Sequence, residues 1–270
     1  MCIRDSFLWG YSDEDLCFVD PYDKSTSTTN AWVDVTNPEL PNGATGAIYE
    51  RVNRYTDNGL LGLRPNGSTH EPANPSLTPE SHDFAPIGID SAKRAEQKID
   101  RTEEDLYLWG HLGSDFVPFI NPYDVTPSTI GAWTTVDVSA YVPQGATGVL
   151  LTIEGKPGTS GEYKVDVRKT GSTDDHVSQF TYGTYLYNNV RFVMVGLDEN
   201  RRFDVYLGSD IYAVYLWGYF KAAVAHEITL TDAVGLLDSY SRSWSSVKPL
   251  ADSLGLYDSV SPLRLSLIHI

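Results

Sequence analysis

Cysteine is nearly absent: two residues in 270 exclude a disulfide-stapled scaffold and any metal site built on several thiolates. Positive charge is also scarce, with Lys+Arg 20 against Asp+Glu 36 and a net charge of −16. A chain this acidic repels the phosphate backbone, so nucleic acid is not an expected partner. No apolar run approaches the ~18–20 residues that a bilayer-spanning helix needs, and membrane insertion is not expected either. A Walker loop, a dinucleotide fingerprint and a nucleophile elbow are all missing, and His226-Glu227 lacks the second His of a zincin. Ser81-His82-Asp83 holds the residue types of a hydrolase, but adjacent residues on a strand point to opposite faces and cannot converge. No catalytic residue is assigned, and the chain reads as non-enzymatic. What is present is 41% hydrophobic and 12% aromatic residues, enough to bury a core in a chain with room for roughly two domains.

The ends carry a signature of their own. Residues 1–6 (Met-Cys-Ile-Arg-Asp-Ser) and 265–270 (Leu-Ser-Leu-Ile-His-Ile) can be encoded by sequences that are reverse complements of each other and match a sequencing-library adapter. Both are read as translated adapter and set aside. Cys17 is then the one genuine cysteine.

Between them a repeat of about one hundred residues organises the chain. Leu-Trp-Gly occurs at residues 8–10, 108–110 and 216–218. Pro21-Tyr22-Asp23 recurs as Pro122-Tyr123-Asp124, Ala31-Trp32 as Ala132-Trp133, and Gly43-Ala44-Thr45-Gly46 as Gly145-Ala146-Thr147-Gly148. Arg64 with Gly67-Ser68-Thr69 matches Arg168 with Gly171-Ser172-Thr173, and Gly88-Ile89-Asp90 matches Gly196-Leu197-Asp198. The offset grows steadily, from 101 to 108, as loop insertions would make it grow. Module A then spans 11–112 and module B 113–220, with 7–10 read as the last strand of a module ahead of A. The connection over 110–115 has no proline and no polar spacer, so neighbouring modules should be held at a fixed geometry.

Short runs rich in β-branched and aromatic residues (149–153, 163–167, 190–195, 202–207, and the stretch around Tyr212 and Trp217) alternate with Gly, Pro, Asn and Asp clusters. Residues 91–99 align with 202–207 and are read as strand. About eight strands per module predict an all-β chain of two tandem antiparallel sandwiches, jelly-roll or immunoglobulin-like. Residues 221–264 form a linker and a tail in which a twenty-residue repeat steps its apolar positions by three and four, a pattern that fits short helices N-capped by Asp232 and Asp252.

The retained tryptophans are expected in the repeat core: Trp109 and Trp217 in the last strand of each module, with Trp32 and Trp133 either core or sugar-stacking platforms. Tyr182, Tyr185 and Tyr187, which lack counterparts in module A, are candidate ligand contacts. Arg64 and Arg168 with Asp90 and Asp198 are the oppositely charged residues retained near the module centres, and an inter-strand ion pair is expected. No cofactor or metal site is assigned. Acidic loops such as Asp13-Glu14-Asp15 and Glu103-Glu104-Asp105 offer hard oxygens to Ca²⁺, but none has the spacing of a calcium loop. The layout is similar to the β-sandwich arrays of virion tail or capsid-decoration proteins and of microbial surface adhesins. The first expectation is a non-enzymatic structural or adhesion segment of a larger virion or cell-surface protein, placed outside the cell or on the virion. It would contact a glycan, a host surface protein or other copies of the same modules. The alternative is a set of carbohydrate-binding accessory modules of a secreted enzyme.

Overall fold

The computed structural model describes residues 16–72, 76–77, 80–155, 162–174, 179–181, 190–222, 228–231 and 237–240. Among them there is no helix. The chain is all-β, as its residue texture requires.

Module A contributes β1 (Leu16–Asp23), β2 (Val33–Thr36), β3 (Gly46–Asn53), β4 (Gly59–Pro65), β5 (Ser76–Leu77), β6 (Ser81–Gly88), β7 (Arg94–Ile99) and β8 (Glu104–Leu112). Module B contributes β9 (Phe116–Asp124), β10 (Trp133–Asp137), β11 (Gly148–Gly155), β12 (Glu162–Lys169), β13 (Gln179–Thr181), β14 (Val190–Gly196), β15 (Arg202–Leu207) and β16 (Tyr212–Phe220). Module A forms two antiparallel sheets, ordered β1-β8-β3-β6 and β2-β7-β4-β5; module B repeats this as β9-β16-β11-β14 and β10-β15-β12-β13. Pairing the first strand with the eighth and the second with the seventh is the interleaved double Greek key of a jelly roll. An immunoglobulin sandwich pairs its first strand with its second, so of the two sandwiches expected, the jelly roll is the one formed.

Alternation explains most of each sheet. In β7, Ala95, Gln97 and Ile99 are buried while Arg94, Glu96 and Lys98 face outward, the period of a half-buried strand. The core of module A gathers Val35, Tyr49, Leu61, Leu63, Ile87, Leu106 and Leu108; that of module B gathers Val149, Leu151, Val165, Phe203, Val205, Val214 and Leu216. β11 breaks the pattern, for all eight of its residues are buried. Its second face is covered by module A. Leu150, Phe116 and Trp217 of module B pack with Ile48 and Leu112 of module A in a third apolar cluster.

That shared cluster fixes the pair more firmly than a short linker alone would. Phe192 of β14 packs against the core of module A, and Arg51 Nη2 donates to Val190 O at 3.1 Å. A Cβ at Gly88 would collide with the Pro118 ring, so close approach of the modules there requires glycine. At the centre a chain of hydrogen bonds crosses the junction: Trp217 Nε1 donates to Thr152 Oγ1 at 2.9 Å, and Thr152 Oγ1 to Glu154 Oε1 at 3.0 Å. His70 Nε2 of module A lies 3.0 Å from that same carboxylate oxygen, its ring edge-on to Tyr215 and Trp217.

Residues 224–270 make a separate unit. Its described part is an antiparallel hairpin of β17 (Ile228–Thr231) and β18 (Leu237–Tyr240), with Ile228 opposite Tyr240. The helical expectation fails for these residues. Ser, Asp, Gly and Thr are weak helix formers, and the run Ile228-Thr229-Leu230-Thr231 alternates as a strand does.

Candidate functional site

The outer face of the sheet β2-β7-β4-β5 carries a groove of about 190 Å³ in module A. Trp32 stands at one wall, just ahead of β2. Asn30, Glu71, Lys98 and Asp100 supply polar groups around it, and Gly62 and Leu60 of β4 form the floor. Gly62 is the cross-strand partner of Lys98 and lines the hollow without a side chain. Drug-sized ligands occupy pockets of ~300–1,000 Å³, so this groove suits a ligand of about one ring.

Trp32 is braced for contact. The Arg64 guanidinium carbon lies 4.0 Å from the centre of its ring, a stacked cation–π arrangement. Its indole Nε1 donates to Glu71 Oε1 at 2.7 Å. Arg64 is itself held by Glu96 at 2.6 Å, by the His70 carbonyl at 3.0 Å and by Glu71 at 3.2 Å, while Lys98 Nζ is 3.5 Å from Glu71 Oε2. Burial works against the Glu71 carboxylate, but the indole N–H and the Lys98 and Arg64 cations outweigh it and hold its pKa below the ordinary value. Glu71 thus stays an anionic acceptor at neutral pH. An oriented indole beside fixed donors and acceptors matches a small polyhydroxylated ring: C–H groups against the aromatic surface, hydroxyls to the polar rim.

Module B repeats the Arg–Trp stack but changes the residues beside it. Arg168 lies 4.0 Å over Trp133 and pairs with Asp204. Asp166 and Tyr206 are cross-strand partners in β12 and β15, in the places of Gly62 and Lys98, and Tyr206 packs edge-on to Trp133 at 5.8 Å.

The other retained residues fall elsewhere. Trp217 is 1% exposed, yet it packs in the junction between the modules and not inside its own sandwich. Trp109, at the equivalent position, is only half-buried; its Nε1 donates to Glu50 Oε2 at 2.7 Å and its ring meets Phe84 edge-on. The retained charges do not pair with each other as expected. Arg64 and Arg168 brace the tryptophans, while Asp90 and Asp198 close the β6–β7 and β14–β15 turns on Arg94 and Arg202, each at 2.8 Å. The arginine four positions along each turn thus takes the place of Arg64 and Arg168, and Asn66 Nδ2 also donates to Asp90 Oδ2 at 2.7 Å. Tyr182, Tyr185 and Tyr187 lie outside the described residues. In the Ser81-His82-Asp83 run, His82 bonds Glu50 at 2.6 Å while Asp83 pairs with the buried Arg51.

Asn30, Gly62, Glu71, Lys98 and Asp100 were not singled out from the sequence, because the sheet gathers them from four separate segments. One signal was available: within a strong repeat, Gly62 faces Asp166 and Lys98 faces Tyr206, a local divergence around a retained Arg–Trp pair.

The strand order and this groove define the chain as a tandem of jelly-roll sandwiches with an aromatic-walled hollow on the first. No family model matches the chain, and no curated protein matches it. Among solved structures it is similar to the M60 catalytic domain with the CBM51-1 and CBM51-2 domains from Clostridium perfringens ZmpB. That match has 6% identity over 71% of this chain and 33% of the other, with a TM-score of 0.23. Another is the N-terminal CBM22-1-CBM22-2 tandem domain from Paenibacillus barcinonensis Xyn10C, with 8% identity over 78% and 100% of the two chains and a TM-score of 0.24. The chain spans a third of the first of these. The fold assignment rests on strand order, not on these likenesses.

Proposed function

We propose that the tandem is a non-catalytic carbohydrate-binding pair, with the Trp32 groove of module A as its sugar site. One observation carries the reading: a tryptophan fixed by Arg64 and Glu71 beside a hollow lined by Gly62, Lys98 and Asp100. A spacer or purely structural segment has no use for a fixed indole at the wall of a hollow, so the accessory-module reading is favoured over the virion or adhesion one. The acidity of the chain favours neutral sugars over sulfated or uronic ones. Multi-ring glycans would be held by one terminal or protruding residue.

The test is a neutral-glycan array followed by titration calorimetry on the full chain. Trp32→Ala should weaken the best ligand at least roughly tenfold, about 1.4 kcal/mol, and Gly62→Asp, which copies module B, should do the same while leaving Trp32 in place. Both variants should keep the β spectrum by circular dichroism. Absence of any glycan binding at millimolar concentration, or undiminished binding by both variants, would overturn the proposal.

A further inference from the structure

Asn30, which lines the groove beside Trp32, holds a backbone conformation that favours glycine. Its φ is 59°, in the left-handed region that asparagine tolerates better than most side chains but glycine adopts without penalty. The repeat supplies the comparison. Asn30-Ala31-Trp32 of module A corresponds to Gly131-Ala132-Trp133 of module B, and Gly131 has φ 76°. The two backbones are tied alike: Asn30 N donates to Ile99 O at 2.6 Å, and Gly131 N to Leu207 O at 2.7 Å. A Cβ at Gly131 would meet nothing within 4 Å, so backbone angle and not crowding makes glycine the natural residue of this turn.

Two other non-glycine residues at positive φ, Lys93 and Arg201, gain something local from their side chains. Lys93 Nζ donates to Leu40 O at 2.6 Å. Arg201 Nη1 donates to Ser139 O and Val142 O at 3.1 and 2.9 Å. The Asn30 amide makes no hydrogen bond among the described residues, and it is exposed. Strain kept without a local return points to a ligand contact.

A second polar group stands close by. Asp100, the residue after β7 and two beyond Lys98, lines the same hollow. Its Oδ1 accepts from Leu60 N at 3.0 Å and from Arg101 Nε at 3.2 Å, and its Oδ2 accepts from Arg101 Nη2 at 3.3 Å. A carboxylate offers about four lone-pair sites, so Asp100 is fixed in place and still has room for one more donor. The groove therefore sets a donor beside an acceptor twice along β7: Lys98 with Glu71 near the indole, and Asn30 with Asp100 further on. A hydroxyl group both donates and accepts, and satisfies such a pair where an ether oxygen satisfies only the donor.

We infer that Asn30 is a specificity-determining contact of the sugar site. Its amide donates to a ring hydroxyl that in turn donates to Asp100. The groove thus selects a neutral pyranose with a free hydroxyl at that position and rejects the same ring deoxygenated there, because both partners would be left unpaired. This inference rests on the sugar reading above.

NMR titration of the full chain tests it, with the methyl glycosides of glucose, galactose, mannose and xylose, and the monodeoxy forms of whichever binds. Asn30→Gly copies module B and relaxes the turn, so its melting temperature should match or exceed that of the wild type. Its affinity for the parent glycoside should nevertheless fall at least roughly fivefold. One monodeoxy analogue should bind the wild type more weakly by a similar factor, and that penalty should shrink in Asn30→Gly, where one of the hydroxyl's two partners has gone. Loss of any other hydroxyl should cost both proteins alike. Trp32→Ala separates this role from the site itself. If Trp32→Ala loses binding while Asn30→Gly binds as the wild type does, or shows the same penalty for every analogue, the sugar site stands and the role of Asn30 falls. An Asn30→Gly protein that melts well below the wild type also overturns the role, since the amide would then be structural. A wild type that binds none of the glycosides overturns both.

Discussion

Glu104 shows how far a single side chain can depart from ordinary solution behaviour. It lies at the start of β8, is 1% exposed, and packs against Gly59, where any Cβ would strike its carboxyl group. Burial, then the nearby Asp100 carboxylate, push its pKa up to about 8. Between the ordinary carboxylate range and that value, the folded chain keeps a proton that the unfolded chain has released. Stability must then fall as pH rises from about 4.5 to about 8 and level off above. Urea unfolding at pH 5, 7 and 8.5 should show a loss of about 2–4 kcal/mol across that window. Glu104→Gln should remove most of the slope and leave the variant more stable than wild type at pH 8.5. Equal slopes in both proteins would show that the carboxyl is not held protonated.

At the scale of single elements, the β6–β7 and β14–β15 turns, which carry the chain from one sheet to the other, make the two modules alike. Asp198 Oδ1 accepts from Asn200 N at 2.9 Å and from Arg202 N at 2.8 Å, while Oδ2 takes the Arg202 side chain. Asp90 does the same for Ala92 N and Arg94 N, both at 2.9 Å. Each turn places a non-glycine residue, Lys93 or Arg201, at positive φ, an uncommon conformation tolerated because the aspartate satisfies the surrounding amides. Asp198→Ala strips these acceptors and should destabilise module B by about 1–2 kcal/mol. Chemical denaturation reads this directly, and a change below about 0.5 kcal/mol, the range of ordinary surface substitutions, would show that the turn holds without the aspartate. The retained aspartates are therefore local turn formers.

Over the whole of residues 16–222, the junction couples two sandwiches that each have a core of their own. Its apolar cluster and the Trp217–Thr152–Glu154–His70 chain bury polar groups that need one another: Glu154 is nearly inaccessible, and losing a partner in such a place costs more than the bond itself contributes. His70→Ala leaves both individual cores untouched. It should lower the stability of the junction by about 1–3 kcal/mol and separate the melting of the two modules, so that calorimetry shows two transitions where the wild type shows one. A single transition in the variant, with an unchanged midpoint, would mean that the apolar cluster alone couples the modules.

The sequence by itself determined the strand-rich texture, the two copies and their count of strands, because alternation, turn residues and repeat offsets are local and read in one dimension. It also marked Arg64, Arg168, Trp32, Trp133, Trp109 and Trp217 as a retained set. It did not say what each was for. Whether Arg64 met Asp90 or stacked on Trp32 depended on which strands became neighbours, and strand order is not local information. Jelly roll and immunoglobulin-like sandwich share the same strand texture and differ only in pairing. The groove was hidden for the same reason, since Asn30, Gly62, Glu71 and Lys98 meet only after β2, β7 and β4 align. Trp109 and Trp217 make the point most directly: the same triplet on the same strand is half-exposed in one module and sealed in the other, because only tertiary packing sets a neighbour against it.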